Sequence, residues 1–445
     1  MALPARCIYV KQPWWRLLLS SSILLLLSPL SRSDESSPAL RHRSSNSSSS
    51  MNDDISPCPS PEANSVMDNR SGTGTGRPII GIVTQPSNGL RDRLRRRGED
   101  ATVAGEDVST IAASYVRFVE SGGARVVPVR YDASEDEWEY LFNSINGILF
   151  PGGAMFLEGG SPYMRAHEFF VRRAMKAFDQ GDYFPVWGTC LGFEAIVDVI
   201  SGDYSLIRQS HFNDSNHPSN LSFDRTHKPI QCSRMFRPLM AHPHADCRHE
   251  SGPVGAMNGR HDVSAPDPGL WSFLSPTILQ VLENAKVVYY NHERGINLTT
   301  WESTPSLMEF FDVLSTSRDK NGVDFVSTIE SRRYPIYGVQ WHPEKNAFEW
   351  SPWLDIPHSS DAVRVTQYLA LFLANEARKS SHTFPSRKAE FASLIYHFPS
   401  IMTADAEHKY TFEQLYLVRA RNHTKGSSST AEREGHLPNG DALIA

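Results

Sequence analysis

The sequence predicts an α/β domain: a doubly wound, mostly parallel sheet sandwiched by helices. Three observations carry this expectation. From residue 78 onward, short apolar runs of strand length alternate with segments of helical periodicity. The first run is continuously apolar, as in a strand buried on both faces. Several runs end in glycine-containing turns beside reactive side chains, and open α/β sheets bind their ligands at such strand ends.

The elements follow in order. Residues 78–84 (PIIGIVT), bounded by proline and by Gln85 and Pro86, predict a buried strand. Residues 109–121 place Ile111, Tyr115, Phe118 and Val119 at helical spacing and stop before Gly122 and Gly123, which predicts a helix. Residues 124–129 predict a second strand, 138–143 a short helix, and 147–150 a third strand running into Pro151, Gly152 and Gly153. A helix is expected over 164–178, a fourth strand over 184–188, and a helix directly after it over 191–200. Residues 237–270 are rich in His, Pro, Gly and Arg with weak periodicity, so they predict a long surface insertion. His242, His244, Cys247, His249 and His261 match no ligand spacing, and no metal is expected there. β-Structure is expected again at 287–290, 310–314, 325–330 and 336–340. Residues 362–377 carry Val363, Thr366, Leu369, Ala370 and Leu373 on one face and predict an amphipathic helix.

The flanks read differently. Residues 1–33 combine Lys11 and Arg16, an apolar stretch of about 14 residues and a small-residue exit, as a cleaved secretory signal does. The stretch is short for a membrane span, although an uncleaved signal anchor is the rival reading. Residues 34–76 are Ser/Gly-rich and predict a disordered leader; 77–422 form the folded domain with its insertion at about 237–270; and 423–445 predict a disordered tail. Lys and Arg number 44 against 50 Asp and Glu, so no global basic field favours nucleic acid.

A secretory route fits the N-x-Ser/Thr acceptors at Asn46, Asn69, Asn213, Asn220, Asn297 and Asn422. It also favours disulfides. Cys7 leaves with the signal, and Cys190 reads as a free thiol; Cys232 and Cys247 are close enough to close a short loop, but the pairing of Cys58, Cys232 and Cys247 stays open.

Three constellations carry chemistry. In residues 188–194 (GTCLGFE), Cys190 sits between a strand and a helix with glycine on either side. This is the elbow logic of G-x-S-x-G with a cysteine nucleophile. The helix N-terminus favours a thiolate, and the Leu191 N–H points where an acyl oxyanion forms. In residues 337–344 (YGVQWHPE), a strand leads to His342, with Glu344 two residues on. On extended backbone the two project to one face, so the carboxylate can orient the imidazole. Gly152 and Gly153 let backbone N–H groups face a ligand, which supplies a second oxyanion donor. The run 91–97 (RDRLRRR) reads as a solvated charge cluster in preference to a polyanion site.

With strand–PGG, GTCLGFE and QWHPEK in place, the sequence resembles the class I glutamine amidotransferase-like hydrolases, whose fold is flavodoxin-like. It resembles more closely the γ-glutamyl hydrolases, in residues 182–194 (DYFPVWGTCLGFE) and 334–345 (YPIYGVQWHPEK). The similarity spans roughly 77–416. The resemblance implies that Cys190 is the nucleophile, His342 the general acid–base and Glu344 the residue orienting it. It implies Gly153 and Leu191 as the oxyanion hole, and His292, Gln340 and Glu194 beside the substrate glutamate. The implied substrate is a folylpoly-γ-glutamate cleaved with water through a thioester, without a cofactor. A homodimer and an extracellular, lysosomal or vacuolar location are also implied, with no membrane attachment after signal cleavage. A thiolate–imidazolium pair of Cys190 and His342 would keep the nucleophile charged in acid. Other expectations are a secreted amidase of the same fold acting on glutamine or γ-glutamyl amines, or a catalytically silent folate-binding glycoprotein. The 237–270 insertion precedes His292 and is a candidate cap for the cleft.

Overall fold

The computed structural model describes residues 74–420, apart from 106, 224–229, 231, 237–274 and 408–409. The signal, nearly all of the leader, the 237–270 insertion with its histidines, the tail, Cys58, Cys247, Asn46, Asn69 and Asn422 lie outside the described residues.

In chain order the strands are β1 (Ile79–Val83), β2 (Gln85–Pro86), β3 (Val108–Ala112), β4 (Arg125–Val129), β5 (Ile148–Phe150), β6 (Val186–Thr189), β7 (Asp214–Ser219), β8 (Val288–His292), β9 (Phe311–Arg318), β10 (Asp324–Ser331), β11 (Ile336–Val339), β12 (Ser400–Met402) and β13 (Gln414–Arg419). The helices are α1 (Asn88–Arg97), α2 (Ala113–Ser121), α3 (Glu135–Phe142), α4 (Pro162–Asp179), α5 (Leu191–Ser201), α6 (Ser275–Asn284), α7 (Leu298–Glu302), α8 (Pro305–Phe310), α9 (Lys345–Phe348), α10 (Ser360–Arg378) and α11 (Arg387–Ser393). Among the described residues none is long and apolar enough to cross a membrane.

Seven strands form the central sheet in the order β4-β1-β5-β6-β11-β10-β9. The first five run parallel, and β10 and β9 extend the sheet antiparallel. Period-two alternation explains why β1 is apolar throughout. Ile80 and Ile82 join the core on one face with Tyr115 and Phe118 of α2 and Leu369 and Leu373 of α10. Ile79 and Val83 join the opposite core with Phe142 of α3, Phe170 of α4 and Ile196 of α5. The sheet is therefore covered on both faces, as the sequence predicts.

One secondary-structure expectation needs correction. Residues 109–112, expected as the first turn of a helix, belong to strand β3, and the helix starts at Ala113. The reason is a distant partner: β3 pairs antiparallel with β13, placing Val108 opposite Arg419 and Ala112 opposite Leu415 in a second sheet ordered β12-β13-β3-β2. The 287–290 strand is present but lies outside the central sheet, paired antiparallel with β7. The arginine run proves helical. Leu90 and Leu94 of α1 are buried, and Arg97 pairs with Asp405 at 3.2 Å, tying α1 to the C-terminal segment.

Close backbone approach brings the functional turns together. A Cβ on Gly192 would lie 2.1 Å from the Phe150 carbonyl oxygen, so only glycine lets the start of α5 abut the end of β5. Farther along α5, Asp198 is fully buried. Burial pushes its pKa up to about 8; the Ile207 backbone N–H pulls it down, and the Glu194 charge adds to the rise. The raised value makes the protonated form the native one. Its stabilisation is complete below the unfolded carboxyl pKa and is lost as pH rises through about 8, a change of up to roughly 6 kcal/mol. Asp198→Asn is expected to match the wild type in denaturation midpoint near pH 4 and to exceed it at pH 8. Parallel midpoints across that range would show that Asp198 carries no such penalty.

Candidate active site

The site forms where β5, β6 and β11 end side by side. β6 is fully buried, and Gly188 packs against the α5 backbone, where a Cβ would lie 2.6 Å from the Gly192 carbonyl oxygen. The chain then turns sharply. Cys190 adopts φ 51° and ψ −107° as the N-cap of α5. Among the described residues only Asn216 is another non-glycine with positive φ. Such a conformation costs about 1–3 kcal/mol and persists only where the surrounding fold imposes it. It sets the thiol at the head of α5, where the Leu191 backbone N–H bonds it.

His342 follows β11 and is anchored by its own N–H to the Tyr289 carbonyl at 2.9 Å. Its Nδ1 lies 2.7 Å from Glu344 Oε1. The sequence reading expected this contact from extended backbone. Instead, the chain turns at Pro343, and Glu344 is already in the α-region as the N-cap of α9. Thr366 of α10 holds the turn by donating to the Pro343 carbonyl at 2.6 Å. The pairing is made by a turn, not by strand periodicity.

Gly152 completes the cluster. A Cβ there would lie 2.7 Å from His342 Cε1 and 3.1 Å from Cys190 Cβ, so thiol and imidazole flank one point that only glycine leaves open. The Gly152 N–H donates to Tyr115 Oη at 2.7 Å, and its carbonyl accepts from Gln85 Nε2 at 2.9 Å. Both backbone groups of Gly152 are therefore engaged, and the Gly153 N–H is the next donor along the turn. Tyr115 Oη also lies 3.4 Å from His342 Nδ1. By its sequence, Tyr115 is a core residue of a helix and Gln85 the boundary of a strand. Neither carries a local signal of its place here, because the contacts are made only on folding.

A second group lies beside the first. Gln340 donates from Nε2 to Glu194 Oε1 at 2.9 Å, while Gln340 Oε1 is buried without a hydrogen-bond partner among the described residues. His292, at the end of β8, is 5% exposed and lies close enough to couple electrostatically to both Glu194 and His342. The structure thus gathers Cys190, His342, Glu344, Gly153, Leu191, Gln340, Glu194 and His292. Of the acceptor asparagines, Asn213 and Asn220 are exposed, whereas Asn297 is half-buried and caps α7 by accepting from the Thr300 N–H at 2.7 Å. Cys190 is a free cysteine, and Cys232 is disulfide-bonded.

Electrostatics set the resting protonation. Burial raises the Cys190 thiol well above its ordinary value, and the Glu194 and Glu344 charges add to this. The Leu191 N–H and Lys345 pull the other way without prevailing. Burial lowers His342 despite the opposing Glu344 carboxylate. Glu344 is held below its usual value because His342 and Lys345 outweigh its burial. Both directions favour a neutral thiol beside a neutral imidazole over the thiolate–imidazolium pair that the elbow suggests. The helix N-terminus is too weak to offset desolvation and two nearby carboxylates.

Comparison with known proteins places this arrangement. The glutamine amidotransferase class-I family model matches residues 107–352. The gamma-glutamyl hydrolase of Mus musculus is 37% identical over 344 residues, covering 77% of this chain and 90% of that protein. The gamma-glutamyl hydrolase of Homo sapiens is 38% identical over 341 residues, covering 77% and 89%. A probable gamma-glutamyl hydrolase 3 of Arabidopsis thaliana is 35% identical over 322 residues, covering 72% and 79%. With similarity of this extent running through both the Cys190 elbow and the His342 turn, the chain belongs to the gamma-glutamyl hydrolase family, within the class-I glutamine amidotransferase group.

Proposed function

We propose that this protein hydrolyses the γ-glutamyl amide bonds of folylpoly-γ-glutamates through a thioester on Cys190. The observation that carries the reading is the strained Cys190 at the head of α5, facing His342 across Gly152. A γ-glutamyl bond is an amide at the position of the glutamine side-chain amide, which suits a scaffold shared with glutamine amidotransferases.

The chemistry runs from the resting neutral pair. Glu344 accepts the Nδ1–H of His342, which leaves Nε2 with a lone pair as base. Nε2 takes the thiol proton as Sγ bonds to the side-chain carbonyl carbon of the γ-linked glutamate. The oxyanion is received by the backbone N–H groups of Leu191 and Gly153. His342 returns the proton to the leaving amine, the C–N bond breaks, and a thioester remains. Water, deprotonated by His342, attacks the thioester; the carboxylic acid leaves and Sγ regains its proton. Gln340 Oε1, a buried acceptor without a partner, suits a substrate N–H, and His292 suits a glutamate α-carboxylate. The signal-like N-terminus and exposed Asn213 and Asn220 support a glycoprotein of the secretory route, lysosomal, vacuolar or extracellular. A homodimer fits the family.

The test is a product assay with pteroylpenta-γ-glutamate from pH 4 to 8, read by mass. Shortened folates are expected. The acid limb of kcat/KM is expected below the usual histidine range, because burial keeps His342 neutral into weak acid. Intact substrate, with glutamine hydrolysed instead, would overturn the proposed substrate.

A further inference from the structure

The strand that pairs with β8 carries a carboxylate that the reaction above does not use. Asp214 opens β7 opposite His292, and the register slips between Asp214 and His217. Asn216, at φ 51°, makes the irregularity, and its N–H donates to Asn291 Oδ1 at 3.0 Å. The kink returns His217 to the same carboxylate, so His217 Nδ1 pairs with Asp214 Oδ1. On the other side, His292 Nε2 lies 3.3 Å from Asp214 Oδ2. Asp214 is fully buried, and His217 reaches partly into solvent.

The hydrogen-bond inventory constrains the protons. His292 Nδ1 lies 2.6 Å from the Arg294 carbonyl oxygen, which can only accept, so Nδ1 carries a hydrogen. If Nε2 were bare, its lone pair would face an oxygen of the fully buried Asp214 carboxylate at 3.3 Å, a repulsion that burial leaves poorly screened. Protons on both ring nitrogens remove the conflict and give Asp214 a counter-charge. The ring is wedged among Phe212, Tyr290 and Phe325, with centroids 5.0–6.1 Å away. The charged groups facing it are Asp214 with His217 on β7, Glu194 on α5 and His342 after β11; on its own loop, Glu293 and Arg294 are exposed, and Arg294 acts on Glu194.

We propose that Asp214, backed by His217, holds His292 doubly protonated and fixes its ring, so that the site presents a cation to the α-carboxylate of the glutamate being cleaved. Asp214 is a positioning residue and does not touch the reacting atoms. This rests on the γ-glutamyl hydrolase reading for the identity of the ligand, but not for the protonation of His292.

Two measurements on the full chain test it. The first is a spectrum of protein labelled with 15N-histidine, with His292→Gln to assign the ring. Both His292 nitrogens are expected to be protonated at pH 7, and Asp214→Asn is expected to lose the proton on Nε2. The second is the KM for pteroylpenta-γ-glutamate against pH. Asp214→Asn is expected to raise KM about tenfold at pH 7 and to make it climb at lower pH than in the wild type, with kcat changing less. Asp214→Glu should recover part of the loss, and His217→Gln should give a smaller rise. A singly protonated His292 in the wild type would overturn the proposal. So would an Asp214→Asn profile of KM against pH that superimposes on the wild type. If the wild type fails to hydrolyse the substrate, the functional reading falls and the spectrum still decides the role of Asp214. If Asp214→Asn fails to fold, the wild-type spectrum and His217→Gln decide it.

Discussion

Cys190→Ala is expected to lower kcat by at least about 10⁴-fold while leaving the fold intact. The thiol is the only atom of the elbow able to form a covalent bond to the substrate carbonyl. Its loss leaves the Leu191 and Gly153 N–H groups and the binding contacts, which by themselves supply only residual catalysis. Folding should be little affected. The strain belongs to φ 51° and ψ −107°, which alanine tolerates no better than cysteine, so it remains in the variant. Cys190→Gly separates the two effects: it too should be inactive, yet more stable than wild type by about 1 kcal/mol, because glycine adopts positive φ without a Cβ penalty. Single-turnover assays and thermal denaturation of both variants check this. Activity of Cys190→Ala within a hundredfold of wild type would exclude Cys190 as the nucleophile.

Glu344→Gln is expected to lower kcat by roughly 10²–10⁴-fold, with little change in KM. The carboxylate accepts from His342 Nδ1 and supports the imidazolium that forms when the thiol proton transfers. An amide supplies no charge, and in one of its two orientations it donates to Nδ1, which puts the lone pair on the wrong nitrogen. The pH profile should move as well. Glu344 raises His342 against the larger lowering effect of burial. Removing the charge leaves burial unopposed, so the acid limb of kcat/KM should shift to lower pH while the plateau falls. A reduced plateau with an unmoved acid limb would mean that the two side chains are not coupled.

The reactive residues were legible because their signals are local. Residues 188–192 (GTCLG) encode a turn that needs glycine on both sides, and the apolar run ahead of it encodes a strand. His342 and Glu344 lie two residues apart, so their contact depends on little else, even though a turn and not a strand makes it. The misassigned residues 109–112 show the limit of such signals. Their partner strand lies about 300 residues away, and without it the helical pattern that continues into α2 is the better local reading.

What the sequence by itself determined is the strands of the central sheet, the Cys190 elbow and the chemical identities of the groups at the strand ends. These follow from short-range backbone sterics and from apolar periodicity. Only the tertiary structure decided which groups support them. Tyr115 meets Gly152 and His342 across 37 and 227 residues of chain, and Asp214 meets His292 only because β7 pairs with β8. It also decided the burial and the neighbouring carboxylates that push the Cys190 thiol up, where the elbow alone suggested a thiolate. The physical reason is that the charge of a group depends on how completely the assembled core removes water around it and which carboxylates that core brings near, and neither quantity exists until the distant segments have packed.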